Sequence, residues 1–381
     1  MKCTVVGRRH PISRTVTFPG TEHPPLTDAD FRQGIYVQHK VGHSPLLDLK
    51  HFNIVRQVFV GDKLHALDRG VTRRNLLGPV YGKWGAIKWP VETCSHISAQ
   101  IKNITLPREI HRKFRGLDEL LHWKGTEFSS FLLYASFLVM KKNLPIRTYE
   151  HFMLYFVAVT MLSSNVYKDT WDQASEMLKK YVEMYDTIYG EGYISSNVHN
   201  LLHLTDEVKE FGPLNVMSAY PFENALNHIK RMLRHGHKCL EQTINRLSEF
   251  ESFAVPITKP NNEIFLKGAE ENITLHIRGF SLNRTLRDGW FLSAEKEIIH
   301  FVFAEMVDSN LRIVGRKLLN PSAQFNSPCS SYTLYIFKGK ETDLSQTFYE
   351  FKPSDVKAKM AAIRTEDQEE TVFVPLLHTL I

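Results

Sequence analysis

Two histidines with the spacing of metal ligands mark the middle of the chain. His199 and His203 stand four residues apart, which places both imidazoles on one face of a helix. Imidazole pairs of this kind bind zinc, although histidines on helices more commonly lie at the surface or cap a helix end. N-cap residues at Ser195–Asn197 and a stop at Phe211–Pro213 predict a single helix around the pair.

A carboxylate and a group of basic residues follow in a second predicted helix. Pro221 suits the first turn of that helix. Glu223 then lies where a carboxylate either favours the positive end of the helix dipole or serves as an acid in metal-dependent chemistry. Lys230, Arg231 and Arg234 come next, and Lys230 and Arg234 are expected on one side of the helix. These cations either contact DNA phosphates or form an ordinary solvated face.

This block resembles the C-terminal part of the catalytic core of cut-and-paste DNA transposases of the CACTA/EnSpm group, and more loosely the V(D)J recombinase. The resemblance implies an RNase H-like core with two aspartates and a glutamate, of which Glu223 is the third acid. It also implies that His199 and His203 bind zinc together with a pair of cysteines. Other segments that resemble landmarks of transposase-derived animal proteins are Val5–Gly7, Ser44–Leu47, Asp62–His65, Leu106–Glu109, Trp123–Phe128 and Phe131–Tyr134.

Both implied ligand sets are incomplete. In the family, two aspartates and a first cysteine precede the segment that holds Cys3, and Cys3 matches the second cysteine of the pair. We therefore expect an N-terminally truncated core in which Cys3, His199 and His203 form a partial zinc set. Glu223 is the one catalytic acid of three. Two-metal phosphoryl transfer needs several carboxylates, so we expect no catalysis, and Mg²⁺ only if acids lie upstream.

Two further groups have open roles. Asp62 and His65 match a family element, but an aspartate at a helix N-terminus with a local hydrogen bond explains them equally well. Arg69, Arg73 and Arg74 form another basic cluster. Exposed aromatic residues are not interleaved with it in the pattern that marks binding of single-stranded nucleic acid.

The composition describes a folded protein of two or three domains. The 381 residues are 43% hydrophobic and include 24 Phe, 14 Tyr and 5 Trp, which argues against disorder. A net charge of +6 is mildly basic and favours DNA binding only weakly. Four scattered cysteines are not a disulfide framework, and the N-terminus has no signal-peptide core. We expect an intracellular protein without a membrane span, in the nucleus according to the family resemblance.

The residue pattern divides the chain into three regions. Residues 1–105 are broken by prolines, with short helices expected at about Asp28–Gly34 and Asp62–Leu77. Residues 106–255 have helical periodicity, and residues 256–381 have short β-branched and aromatic runs. The predicted fold class is α+β, with a partial RNase H-like core, mainly helical in its C-terminal half, followed by a mostly β C-terminal domain. Strands are expected at Ile264–Leu266, Ile273–Ile277, Trp290–Leu292, Ile298–Glu305, Leu311–Val314, Tyr332–Phe337, Thr347–Phe351 and Thr371–Leu377.

The sequence favours a transposase-derived protein that is catalytically inactive and keeps nonspecific DNA binding through Lys230, Arg231 and Arg234. One alternative is a fragment of an active metal-dependent DNA transposase whose acids lie in an upstream exon. Another is a domesticated protein-interaction module that acts through the β domain. A Walker motif, a dinucleotide fingerprint or a serine-hydrolase elbow would indicate a different enzyme, and the sequence contains none of them.

Overall fold

A computed structural model describes residues 2–11, 14–38, 42–190, 192–234, 236–253, 264–269, 272–366 and 369–381. The predicted boundary between the helical and β regions, at residues 255 and 256, lies outside the described residues. The fold class is α+β, with helices in the N-terminal and middle parts and a mostly β C-terminal part. Among the described residues, no helix combines the length and the apolar character needed to cross a membrane.

Residues 1–105 contain more helix than the sequence pattern predicts. The helix expected at Asp62–Leu77 continues to Tyr81, and Gly82 ends it in a left-handed conformation. The pattern misses Val91–Asn103, because only Ile97 and Ile101 of this helix are buried and the periodic signal is weak. The elements of this region are the strands Arg8–Arg9 and Val16–Thr17, the α-helices Asp28–Gln33, Arg73–Tyr81 and Val91–Asn103, the 3-10 helix Pro45–Asp48 and the π-helical segment Lys63–Thr72.

The helical part is built around one buried helix, Ile146–Leu162. Every residue from His151 to Leu162 is buried, as a helix that is apolar on all sides requires. Trp171–Glu183 packs along this helix, and Leu201–Phe211 packs against Trp171–Glu183 in turn. The other helices of this part are Leu117–His122, Gly125–Ser130, Phe131–Ala135, Ser136–Asn143, Asn165–Thr170, Tyr185–Tyr189, Ser196–His199, Tyr220–Met232 and Cys239–Phe253.

Within the described residues, eight antiparallel strands form one curled sheet in the C-terminal part. Their spatial order is Tyr349–Phe351, Asn310–Lys317, Ile298–Val307, Trp290–Ser293, Val356–Arg364, Thr371–Pro375, Phe337–Gly339 and Ser322–Ala323. A three-stranded antiparallel sheet precedes it in the chain and consists of Phe265–Lys267, Thr274–Ile277 and Phe280–Leu282.

In the β part, one predicted strand is wrong and one central strand was not predicted. The segment Tyr332–Phe337 is not a strand, because Ser331–Leu334 form a 3-10 helix and the strand begins only at Phe337. The sequence pattern also misses Val356–Arg364, which lies in the centre of the large sheet between two neighbouring strands. Its Ala, Lys and Met residues have good helix propensity, and burial in the sheet overrides that preference.

The large sheet shares a hydrophobic core with the helices. Trp290 and Phe373 belong to the same buried cluster as the residues of the central helix. The ring of Phe325 lies 6.1 Å from that of Phe137 across this contact. Phe291 faces the second cluster, beneath the three-stranded sheet, because neighbouring strand residues point to opposite faces. The β part is therefore covered on one face by helices and on the other by its own small sheet.

A buried ion cluster also joins the helical and β parts. Lys359 is completely buried, and its Nζ lies 2.6 Å from Asp288 Oδ1 and 2.8 Å from Glu109 Oε2. Burial raises the pKa of Asp288, but Lys359 and Arg108 outweigh it and hold the pKa of this carboxyl below its usual range. Arg108 and Glu109 belong to a segment predicted as a family landmark. In the structure that segment is one of the places where the helical part contacts the sheet.

Candidate metal centre and acidic cluster

The three predicted zinc ligands come together from distant parts of the chain. The Sγ of Cys3 lies 3.2 Å from Nε2 of His199. One ligand atom from each of Cys3, His199 and His203 lies within 4.8 Å of the others. Cys3 and His199 are buried, and His203 is partly buried. A thiolate and two imidazoles in this arrangement can hold a metal ion.

The prediction that His199 and His203 share a single helix is wrong. Ser196–His199 ends at Asn200, and a new helix, Leu201–Phe211, follows. The backbone of Asn200 stays near helical values, with φ −64° and ψ −15°, so the four-residue relation survives the break. The two imidazole centroids therefore lie only 5.7 Å apart.

Backbone pairing brings Cys3 to the two histidines. Cys3 forms an antiparallel bridge with Pro25, where the N–H of Thr4 donates to Pro24 and the N–H of Leu26 donates to Lys2. This pairing fixes the N-terminal segment and directs Cys3 into the buried region around His199.

Hydrogen bonding selects the tautomer of His199. Its Nδ1 lies 3.2 Å from the carbonyl oxygen of Phe18, which can only accept, so Nδ1 carries the proton. The lone pair of Nε2 is then free to face Cys3, which is the form that binds a metal. Burial lowers the pKa of His199 and of His203 to about 4, so both rings are neutral at physiological pH. Burial also raises the pKa of the Cys3 thiol, an effect that a bound cation would oppose.

His203 shows most clearly that the cluster suits a cation. Its Nε2 is buried and has no hydrogen-bond partner among the described residues. An unpaired buried nitrogen is unfavourable, and a metal ion would satisfy it. A cleft of about 460 Å³ opens beside His203, so a further ligand can reach the cluster. One imidazole not considered from the sequence, that of His23, has its centroid 6.0 Å from that of His199, and its Nε2 lies 2.9 Å from the carbonyl oxygen of Pro19.

A second cluster contains Asp62, His65 and Glu223. Asp62 Oδ2 lies 2.6 Å from His65 Nδ1, and His65 Nε2 lies 3.4 Å from Glu223 Oε1. The structure thus adds a second carboxylate, Asp62, to the predicted acid Glu223. The side chains of His65 and Glu223 are each 55% exposed, so the cluster opens to solvent.

The N-termini of two helices meet at Asp62. Its carboxylate accepts hydrogen bonds from the backbone N–H groups of Leu64 and His65, at the start of Lys63–Thr72. It also accepts one from Ala219, which precedes the helix of Glu223. The interpretation of Asp62 as an N-terminal cap is therefore confirmed, and the same carboxylate holds the two helices that supply His65 and Glu223.

A buried charged pair below this cluster escaped sequence reasoning. Asp68 is 2% exposed and accepts hydrogen bonds from Lys63 Nζ at 2.8 Å and from the Tyr220 hydroxyl at 3.0 Å. Burial raises the pKa of Asp68, although Lys63 acts in the opposite direction. Asp68 shares the buried face of its helical segment with Leu64 and Val71, and an acid on an apolar face is a sequence signal for a buried partner, but the pattern does not say which residue that partner is.

Glu207 connects the metal centre to the acidic cluster. Its buried carboxylate accepts hydrogen bonds from the N–H groups of Val60 and Gly61, each at 2.8 Å, and pairs with Lys2 at 2.9 Å. Lys2 precedes Cys3, and Gly61 precedes Asp62. A Cβ atom on Gly61 would lie 2.4 Å from Leu204 Cδ1, so the close approach requires glycine. Through Glu207, the segment that carries Cys3 and the segment that leads to Asp62 are fixed to the same helix, so the two clusters keep a fixed relative position.

The predicted basic residues are exposed. Lys230 and Arg231 lie in the helix Tyr220–Met232, which has no buried residue. Arg234 lies beyond the end of that helix, and its backbone N–H donates to Gln242 at 3.0 Å. The prediction that Lys230 and Arg234 share one helical face is therefore wrong, although both remain on the exposed surface.

Comparison with known proteins reaches only the C-terminal part. Residues 233–376 match a family described as a domain of unknown function, DUF8592. No curated protein and no solved structure matches the chain. The matched range takes in the helix Cys239–Phe253 and the described strands of both C-terminal sheets.

Proposed function

We propose that this chain is a transposase-derived protein whose zinc-stabilised helical part, a partial RNase H-like core, binds DNA without sequence preference. The convergence of Cys3, His199 and His203 is the observation that supports this best. Cys3 is 196 residues from His199 in the sequence, and all three residues match zinc ligands of the CACTA/EnSpm transposases that the chain resembles. A nuclear location follows from the same proposal.

Zinc fits the donor set better than a hard cation does. One thiolate and two neutral imidazoles are borderline-soft ligands, whereas Mg²⁺ and Ca²⁺ prefer oxygen. The fourth position would be taken by water, which the cleft beside His203 admits. When bound, the metal would tie the segment of Cys3 to the helices that carry His199 and His203, and its binding energy would stabilise the fold.

The geometry of the acidic cluster supports the proposal that the chain does not catalyse transposition. His65 lies between Asp62 and Glu223 and contacts both, so an imidazole stands where a bridging cation would need to be. Asp62 is further engaged by three backbone N–H groups. Two-metal chemistry requires carboxylate oxygens that face the cations. The contacts of Asp62 and Glu223 with His65 and with the backbone N–H groups compete with cation binding.

The exposed basic surface supports DNA binding. Lys230, Arg231 and Arg234 form no ion pair with any carboxylate of the described residues. Unpaired surface cations of this kind attract a polyanion through its phosphates, without reading base sequence. Binding should therefore be weak, indifferent to sequence and strongly dependent on salt.

Charge reversal tests the DNA-binding proposal. Lys230→Glu combined with Arg234→Glu should weaken binding to an unrelated DNA duplex several-fold and lower the salt slope by about one for each lost contact. Fluorescence anisotropy across a salt series measures both quantities. Lys340→Glu with Lys352→Glu is the matched control, because both lysines are exposed on the β part. Equal DNA binding by the first pair and the parent, with helicity intact, would refute the role of this surface.

A protein-interaction function of the β part is the second candidate. The family match covers residues 233–376 without the helical core, which indicates that this part recurs as a unit. Large apolar side chains are exposed on it, with Met306 at 59% and Phe348 at 58%. The double variant Met306→Ser with Phe348→Ser should bind a protein partner of the β part less well than the parent does. Equal binding by the variant and the parent would remove the support for this candidate.

A further inference from the structure

We propose that a cleft lined by three arginines binds a phosphate group of a DNA strand. Arg69, Arg73 and Arg74 line one side, Ser195 and Asn197 contribute to the other, and the volume is about 140 Å³. The inference rests on the proposed DNA binding and assigns a specific place where the strand meets the helical part.

The cleft carries positive charge without compensation. None of its lining residues is acidic. Among the described residues, no carboxylate forms an ion pair with Arg69, Arg73 or Arg74. Three like charges around one concavity repel each other, and an anion between them removes that repulsion. The planar guanidinium forms paired hydrogen bonds with phosphate oxygens, which makes phosphate the chemistry that fits.

Arg74 is held in place before any ligand binds. Its Nη2 donates to the carbonyl oxygen of Tyr193 at 2.7 Å. The guanidinium carbon lies 5.0 Å from the ring centroid of Trp84 and 5.6 Å from that of Tyr185, so two aromatic rings fix its position. Its Nε is buried and has no hydrogen-bond partner among the described residues. A fixed and incompletely satisfied guanidinium favours an anion beside it.

The cleft continues the surface of the acidic cluster. His65, Arg69 and Arg73 follow each other at four-residue intervals along the helical segments Lys63–Thr72 and Arg73–Tyr81. Asn197 of the opposite wall donates to the backbone carbonyl of His65 at 3.4 Å. A Cβ atom on Gly70 would lie 2.5 Å from the Asn197 amide nitrogen, so glycine lets the two walls approach. The cleft therefore adjoins the helical turn that carries His65.

Neutralising Arg69 and Arg73 tests the proposal. Arg69→Gln with Arg73→Gln should weaken duplex binding several-fold and lower the salt slope by about two, one for each contact. Inorganic phosphate should compete with DNA for the parent protein but not for this variant. Lys340→Gln with Lys352→Gln removes the same charge from the β part and should leave both measurements unchanged. Circular dichroism checks folding, and Arg69→Gln alone, at an exposed position, serves if the double variant is unstable.

The outcomes separate this inference from the proposed function. If the parent binds DNA and the arginine variant matches the lysine control, the cleft assignment is wrong and the DNA proposal stands. If the parent binds inorganic phosphate through these arginines but binds no duplex, the phosphate site is supported and its DNA source is refuted. If the parent binds neither, both proposals fail.

Discussion

Removing the cation of the buried ion cluster should cost the protein much of its stability. Lys359 is completely buried, and its partners Asp288 and Glu109 have side chains only 4% and 10% exposed. Lys359→Met leaves both carboxylates in a poorly solvated site. Breaking a buried pair in this way costs about 3–5 kcal/mol. Arg108 still contacts Asp288 through its backbone N–H and its Nε, so we expect a loss near the lower end, about 3 kcal/mol.

A second substitution shows whether uncompensated charge is the cause. Adding Glu109→Gln to Lys359→Met removes one of the two stranded carboxylates, so the double variant should be more stable than Lys359→Met alone. Loss of packing contacts alone would make the double variant less stable than Lys359→Met. A gain in stability therefore identifies uncompensated charge as the cause of the loss. A coupling of about 1–3 kcal/mol is expected for groups in direct contact.

Urea unfolding provides the assay. Far-UV circular dichroism follows the helical part, and tryptophan fluorescence includes the buried Trp290 of the sheet. The midpoint should fall for Lys359→Met while the slope of the unfolding free energy stays constant. Lys338→Met is the control, because its ion pair with Glu370 is partly exposed at the surface, with side chains 33% and 39% exposed, and should contribute less than about 1 kcal/mol. Equal losses for the buried and the surface lysine, or no rescue by Glu109→Gln, would refute the reasoning.

Three further predictions concern the helical part. His151 is buried, its pKa is lowered to about 4 chiefly by burial, and its Nε2 lies 2.7 Å from the carbonyl oxygen of Tyr181. As the pH falls from about 7.5 to about 5, the unfolded chain takes up a proton here that the folded chain does not, so stability should drop by about 2 kcal/mol from this residue. His151→Gln keeps a donor but does not titrate, and its urea midpoint should change less with pH; an unchanged pH dependence would contradict the assignment. Gly61→Ala should lower the melting temperature, because the added Cβ would collide with Leu204. A melting temperature equal to that of the parent would show that the packing between the two clusters is looser than described. The chain from Met1 to Ile381 should not cleave or join DNA with Mg²⁺ or Mn²⁺, and metal-dependent cleavage that Glu223→Gln abolishes would overturn this expectation.

Residue type and spacing predicted the parts of the site that are local in sequence. His199 and His203 could be recognised from their four-residue spacing, and the resemblance alone added Cys3. The helix break at Asn200 has no clear signal, because every residue around it tolerates a helical backbone. The contact between His65 and Glu223 was not predictable, since it depends on how two helices are joined through the carboxylate of Asp62.

The fold could be predicted where one residue pattern dominates. The helical periodicity of residues 106–255 was expected, and the central helix Ile146–Leu162 lies within that range. The strand Ile298–Val307 has a long β-branched and aromatic run and was expected in outline. Val356–Arg364 could not be recognised, because its local preference is helical and only the surrounding sheet makes it a strand. From the sequence alone, Lys359 would be expected at the surface. Its burial depends on the tertiary contacts with Asp288 and Glu109.

Zinc content is the most direct test of the proposed metal-stabilised core. Native mass spectrometry, after equilibration with zinc and removal of the excess, compares the parent with Cys3→Ser and Cys239→Ser. Cys3 is buried in the cluster, whereas Cys239 is exposed and is not one of the three clustered ligands, so the second variant controls for loss of a thiol. We predict one zinc per chain in the parent and in Cys239→Ser, and a loss of zinc together with a lower melting temperature in Cys3→Ser. Zinc retained by Cys3→Ser at the level of the parent, or no zinc in the parent, would contradict the account.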